Sequence, residues 1–248
     1  MARLVASSVE GARLGFGPWM SVGVSLVTIW VSWSSGKDCA WSLHRLRQED
    51  RNAEALFTTL NSQADRVAMH GVRRELLHAQ AASLRLPLHC IDLPWPCSDE
   101  DYQRIMAGFL NNARLSGVTE MAFGDLFLED IRNYREKNLA GTGIAPVFPL
   151  WGSDTKLLAR EMLAAGMRAR LATVDLARLD VSFAGQPYDE DLLHDLPASV
   201  DVCGENGEFH TFVTDGPMFS SPINVETGSI LQRDGFAYAD LLQIGAPG

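Results

Sequence analysis

Ser34-Ser35-Gly36-Lys37-Asp38-Cys39 sets hydroxyls, a glycine, an amine and a carboxylate in one short run. Residues of these types suit an anion. Gly36 lets the backbone approach a phosphate closely. Lys37 brings a mobile positive charge, and Asp38 can hold Mg²⁺ through its oxygens. The preceding stretch, Leu26 to Trp33, is apolar, β-branched and aromatic, with the length of a strand. The following stretch, Ala40 to Glu49, has a helical pattern. Strand, polar turn and helix together form an anion site, because unpaired N–H groups and the positive helix end point at one spot. A plain strand-to-helix turn with serine capping has the same local pattern. Two features favour chemistry. The strand reads as buried throughout, as in a parallel sheet, and only three of the 21 basic residues are lysines, Lys37, Lys137 and Lys156.

Two other phosphate loops are excluded. Gly-x-x-x-x-Gly-Lys-Ser/Thr fails because Asp38 follows Lys37 and no glycine lies five residues before Gly36. Gly-x-Gly-x-x-Gly fails because Gly15-Phe16-Gly17 runs into Met20 and precedes the strand. The run from Ser34 to Cys39 resembles the PP-loop of the ATP pyrophosphatases, usually S-G-G-K-D-S. Ser35 stands for a glycine, a change suited to a negative φ, and Cys39 stands for the final serine, losing a hydroxyl.

A second polar cluster, Asp201 to Pro217, surrounds Asn206-Gly207. Asn-Gly between strand-like runs signals a hairpin, and a surface hairpin is one reading. Period-two alternation puts Glu208 and His210 on one face and Phe209, Thr211 and Val213 on the other. Glu205, Glu208 and His210 would then converge. The other histidines, His44, His70, His78, His89 and His194, read as ordinary. Between the clusters, Gly124-Asp125 follows a strand directly, where an acid could hold Mg²⁺, orient a nucleophile or do neither. Glu129 and Asp130 open a helix and read as dipole compensation.

The elements that would position these groups alternate. Strands are expected at Ala53–Leu60, Leu88–Leu93, Val118–Phe123, Val147–Trp151 and Met167–Val174, and Asn61 to Asp65 as a loop. Helices are expected over Val72–Leu86, behind a Ser98 cap and ending at Gly117, and behind Ser153 or Asp154 with Leu157, Leu158, Met162 and Ala165 inward. Phe183 to Asp195 reads as a loop and short helix. Such alternation implies a parallel sheet with helices on both faces, whose ligand sits at the carboxyl ends of the strands. The three glycines and two prolines of Gly141 to Gly152 mark a boundary. Three segments are expected: a tail at 1–20, an α/β nucleotide-binding domain at 21–152 and a smaller mixed α/β domain at 153–248.

The 248 residues carry a net charge of −10, with 46% hydrophobic residues. A broad nucleic-acid surface is therefore not expected. The four cysteines form no C-x-x-C pair, so neither zinc nor a disulfide framework is indicated and the compartment expected is reducing. Val22 to Trp33 is too short for a membrane span and leads straight into the loop, so no signal peptide and a cytoplasmic location are expected. Met20 is an alternative start. Nothing in the sequence fixes the oligomeric state.

The loop, QAASLRLPL, GDLFLEDIRNYRE, PLWG and CGENGEFHTFVTDGP occur in that order. Together they resemble the diphthine–ammonia ligase family of PP-loop ATPases, short bacterial-type members, over about residues 26 to 220. The resemblance implies a HUP-type ATP domain and a smaller substrate domain. It implies that Ser34, Ser35, Gly36, Lys37, Asp38 and Cys39 bind ATP phosphates, with Mg²⁺ on Asp38 through them. Gly124, Asp125, Glu205, Asn206, Gly207, Glu208 and His210 would line the cleft, His210 replacing the third acid of the usual E-G-G-E-x-E-T. The reaction implied is adenylylation of a carboxylate and amidation by free ammonia, with Lys37, Asp38, Glu205 and Glu208 as catalytic residues. The arginine bias points to a GC-rich, bacterial genome, which would lack diphthine and leaves the carboxylate open. Two rival readings are a tRNA-thiolating PP-loop enzyme using a cysteine, and a non-catalytic nucleotide-binding regulator.

Overall fold

The structure is a computed structural model, and it describes residues 27–67 and 70–245. The expected tail at 1–20, Leu26 and the Gly15-Phe16-Gly17 run lie outside the described residues. Alternating side chains of β1 (Ile29–Ser32) enter two different cores, which is why the strand reads as apolar on both faces. It pairs in parallel with β2 (Ala53–Asn61) on one side and β5 (Glu120–Ala122) on the other. Beyond them β4 (Leu88–Leu93) pairs in parallel with β2, and β6 (Ala145–Val147) with β5. The two-residue β3 (Arg66–Val67) adds antiparallel to the end of β2. The spatial order β4-β2-β1-β5-β6 reverses direction between β1 and β5, and a crevice opens at their carboxyl ends.

On one face, Ile29, Val31 and Trp33 pack with α1 (Lys37–Gln48) and α2 (Arg74–Leu84). On the other, Trp30, Phe57 and Met121 pack with α3 (Asp99–Leu115) and α4 (Glu129–Leu139). Ser98 caps α3 by accepting from Asp101 N at 3.1 Å, and Gly117 follows its end at φ +86°. Helix α5 (Thr155–Ala164), capped by Asp154, leads into a second sheet. That sheet is wholly antiparallel, in the order β8 (Phe209–Asp215), β7 (Arg168–Asp175), β10 (Phe236–Gln243), β9 (Val225–Arg233). A 3₁₀ turn (Val181–Phe183) and α6 (Glu190–Asp195) lie between β7 and β8. Among the described residues no helix is long and apolar enough to cross a membrane.

Several expectations need correction. Helix α1 begins at Lys37 rather than Ala40, so Lys37, Asp38 and Cys39 form its first turn. The strand expected at Val147–Trp151 is β6 at Ala145–Val147, and the chain then turns, with Trp151 N donating to Phe148 O at 3.2 Å. In α5, Leu158 and Met162 are buried, but Leu157 is 66% exposed and Ala165 is exposed beyond the helix end. The buried stripe of this helix is Leu158, Ala159 and Met162, and Leu157 lies just outside it. Asn206-Gly207 does not join two strands: a loop runs from Asp201 to Glu208 and only β8 follows. The β9–β10 hairpin was not foreseen, although Asp234-Gly235 between two strand-like runs is its signal.

Candidate functional site

The crevice between β1 and β5 is closed from above by the second sheet. β8 docks directly on the glycine-lysine turn, with Val213 N donating to Ser35 O at 3.0 Å. Lys37 N donates to Thr211 Oγ1 at 3.0 Å. Gly36 occupies the N-cap position of α1 and has no side chain to cap with, so a threonine from a distant strand supplies the acceptor. Gln80 of α2 braces the same turn. Its amide donates to Ser35 O at 3.1 Å and Val213 O at 2.7 Å, and its oxygen accepts from Trp33 Nε1 at 2.8 Å. On the β5 side, a Cβ on Gly124 would lie 2.9 Å from Asp38 C and Cys39 N, so only glycine lets this strand end approach α1 so closely.

The space enclosed is a cavity of about 240 Å³. Of the residues expected from the sequence, Ser34, Lys37, Asp38, Cys39, Gly124, Asp125, Glu205 and His210 line it, and Ser35, Gly36, Asn206, Gly207 and Glu208 do not. Ser35 has φ +75°, contrary to the negative φ anticipated, and its buried Oγ has no hydrogen-bond partner among the described residues. Glu208 is fully buried beneath the loop. Its Oε1 accepts from Asp201 N and Asn206 Nδ2, both at 3.1 Å, and Arg178 is 3.4 Å away. It ties the loop instead of facing the cavity, because it precedes β8 and the strand alternation does not extend to it. Asn206 serves the same loop, and Gly207 provides a positive φ of 83°.

Lys37 Nζ donates to both oxygens of Asp38 at 2.8 Å and to Cys203 O. Burial, the largest single influence, works against its charge, but Asp38, Cys203 and Glu205 together outweigh it and raise the pKa above its ordinary value. Burial raises Asp38 despite Lys37. Both Asp38 oxygens thus accept from Lys37. Asp125 differs: its Oδ2 is buried without a hydrogen-bond partner, 3.5 Å from Arg135 Nε. Burial raises its pKa, opposed by Arg135. Among the described residues no group of three or more His, Cys, Asp or Glu is gathered to hold a metal.

Glu205 Oε1 accepts from Leu126 N at 2.8 Å and Phe127 N at 3.4 Å, joining the second-sheet loop to the segment after Asp125. Burial pushes its carboxyl up to about 7, with Asp38 adding and the backbone donors opposing. His210 stacks on His70, ring centroids 4.3 Å apart. Burial lowers both imidazoles, His210 to about 4, and the Lys37 charge contributes to each. His70 and Arg135 are site residues that the sequence did not single out. Arg135 has a partial signal in its place on the helix after Gly124-Asp125, whereas His70 has none. A second cavity of about 460 Å³ adjoins, sharing Ser34, His70, Arg135 and Glu205 and otherwise lined mainly by apolar groups such as Phe57, Met106 and Met121.

A model of the diphthamide synthase N-terminal domain matches residues 27–145, and one of the diphthamide synthase C-terminal domain matches residues 154–241. Diphthine–ammonia ligase of Bos taurus is 30% identical over 118 residues, 45% of this chain and 44% of the relative. The Danio rerio protein of that name is 29% identical over 142 residues, 54% of each chain. The one from Rattus norvegicus is 28% identical over 155 residues, 60% of this chain and 57% of the relative. The chain thus spans about half the length of the curated relatives it matches.

Proposed function

This chain belongs to the diphthamide synthase family, and from that membership we propose that it is an ATP-dependent ligase that amidates a carboxylate with free ammonia. The observation carrying this reading is the placement of Lys37 and the start of α1 at the β1/β5 crevice, directly opposite the Glu205 loop. The small polar cavity suits a triphosphate, and the larger apolar one beside it suits the adenosine. Residues 21–152 would then bind ATP, and residues 153–248 would close over it and present the carboxylate.

In the first step a substrate carboxylate oxygen attacks the α-phosphorus, and the bond from that phosphorus to pyrophosphate breaks. Lys37 and Arg135 neutralise the departing pyrophosphate, and the fixed start of α1 holds the chain in line. In the second step ammonia attacks the acyl carbon, the bond to AMP breaks, and one proton is lost. Glu205 accepts it, since a carboxyl titrating near 7 is matched to that task. Mg²⁺ fits the donors on the terms usual for it, one or two carboxylates plus substrate phosphates. Asp125 would hold it through its buried Oδ2, which lies 3.5 Å from Arg135 Nε. The ion would supply charge neutralisation on the phosphates.

Thiolation through Cys39 or Cys203, the two cysteines that line the cavity, is disfavoured. Burial pushes Cys39 up to about 11 and Cys203 up to about 12, the reverse of an activated thiolate. The test is a panel of carboxylates with ammonium and ATP, read by product nucleotides. AMP and pyrophosphate support the ligase, ADP and phosphate overturn it, and nucleotide binding without turnover on any carboxylate favours the regulator.

A further inference from the structure

The mechanism uses Lys37 at the phosphates, yet its ammonium group points elsewhere. All three of its donors are committed, to the two Asp38 oxygens and to Cys203 O. The rings of Tyr188 and Phe209 stand 5.9 Å from the nitrogen on further sides. A carboxylate, a carbonyl and two aromatic faces in a buried space make a receptor for a small N–H cation. The carbonyl and the two aromatic walls are fixed without Lys37. Tyr188 Oη donates to Val202 O at 2.8 Å, and Cys203 N donates to Asp201 Oδ1 at 2.9 Å. Phe209 is buried at the start of β8. These three walls therefore persist when the occupant leaves, and the Asp38 carboxylate is left without its cation.

We propose that this cage is the binding site for the ammonium ion, the nitrogen donor, and that Lys37 occupies it until a nucleotide triphosphate draws the side chain away. The inference rests on the ligase reading and locates its nitrogen substrate. A lysine ammonium and NH₄⁺ present the same charge and the same donor type, so what holds one holds the other. Cys203 and Glu205 line the same cavity, so an ammonium released from the cage gives its first proton to Glu205, which passes it to water before accepting the second as the amide forms. Binding becomes ordered: the cage is blocked before ATP arrives and open afterwards. Nucleotide and ammonium then assist each other, because both favour the displaced Lys37.

Two measurements test this. Affinity for α,β-methylene-ATP is measured by calorimetry in ammonium chloride and in sodium chloride at equal ionic strength. Ammonium is expected to tighten it about fivefold or more, the lower range of such couplings, and the gain should vanish in Lys37→Ala. Crystals of the wild type with and without that nucleotide, and of Lys37→Ala without it, are soaked in thallium(I), a cation of ammonium size located by anomalous scattering. Thallium against Cys203 O is expected in the nucleotide-bound wild type and in Lys37→Ala, and not in the nucleotide-free wild type. Bound nucleotide with Lys37 still on Cys203 O, or a thallium-free cage in Lys37→Ala, overturns the proposal. Failure of the wild type to bind nucleotide sinks the ligase reading instead, while the Lys37→Ala crystals still decide the cage.

Discussion

At the residue scale, the most exacting position is Ser35. A non-glycine residue in the left-handed region costs about 1–2 kcal/mol, and a buried hydroxyl without a partner adds to that. Ser35→Gly is therefore expected to stabilise the fold by about 1 kcal/mol, read as a higher denaturation midpoint. Glu205 makes a prediction in pH. Its carboxyl titrates near 7 when folded, against about 4.5 ordinarily, so the folded state holds a proton that the unfolded chain has lost between those values. Stability from this group is full below pH 4.5 and falls as pH rises through about 7. Glu205→Gln lacks that loss, so wild type should weaken relative to the variant across the window and run parallel above it, measured by urea unfolding. The variant should also lose the rise of turnover with pH near 7. Ser34, Lys37, Asp38, Cys39 and Glu205, which line the cavity, were legible as candidates because their types cluster in sequence. Gln80 and His70 were not, because each acts by reaching a partner more than 40 residues away, Trp33 and Val213 for one and His210 for the other.

Elements were read well where one face is wet and the other dry. Helix α3 has a polar cap, an apolar stripe and a terminal glycine, and each signal has its counterpart in the structure. The start of α1 was misplaced because its cap comes from another sheet and leaves no mark nearby. Thr211→Val tests that bridge. Removing the acceptor for Lys37 N should cost about 1 kcal/mol of stability and weaken nucleotide binding, whereas Thr211→Ser should retain both. Calorimetry on the two variants separates a lost cap from a merely altered strand, since valine suits β8 at least as well as threonine.

Across the whole molecule, both sheets feed one core. Leu56 of the first sheet, with Leu46 and Leu76 of the helices that cover it, belongs to the same apolar cluster as Leu171 and Phe212 from the second. Gly141 to Gly152 looks like punctuation between two independent units, and that local signal says nothing about shared packing. A fragment ending at residue 152 would expose to water the part of this core that Leu171, Phe212 and their neighbours cover. It is expected to be insoluble or molten, and the full chain to unfold in a single transition in which circular dichroism and fluorescence coincide. Two separated transitions would show that the sheets are stable apart.

The indole of Trp33 shares a single amide, Gln80, with the carbonyl of Ser35. Any shift of the turn as a triphosphate arrives must tug that amide and change the polarity felt by the ring. The molecule thereby carries its own optical gauge of occupancy, legible as an emission change that Trp33→Phe would silence without labelling the protein.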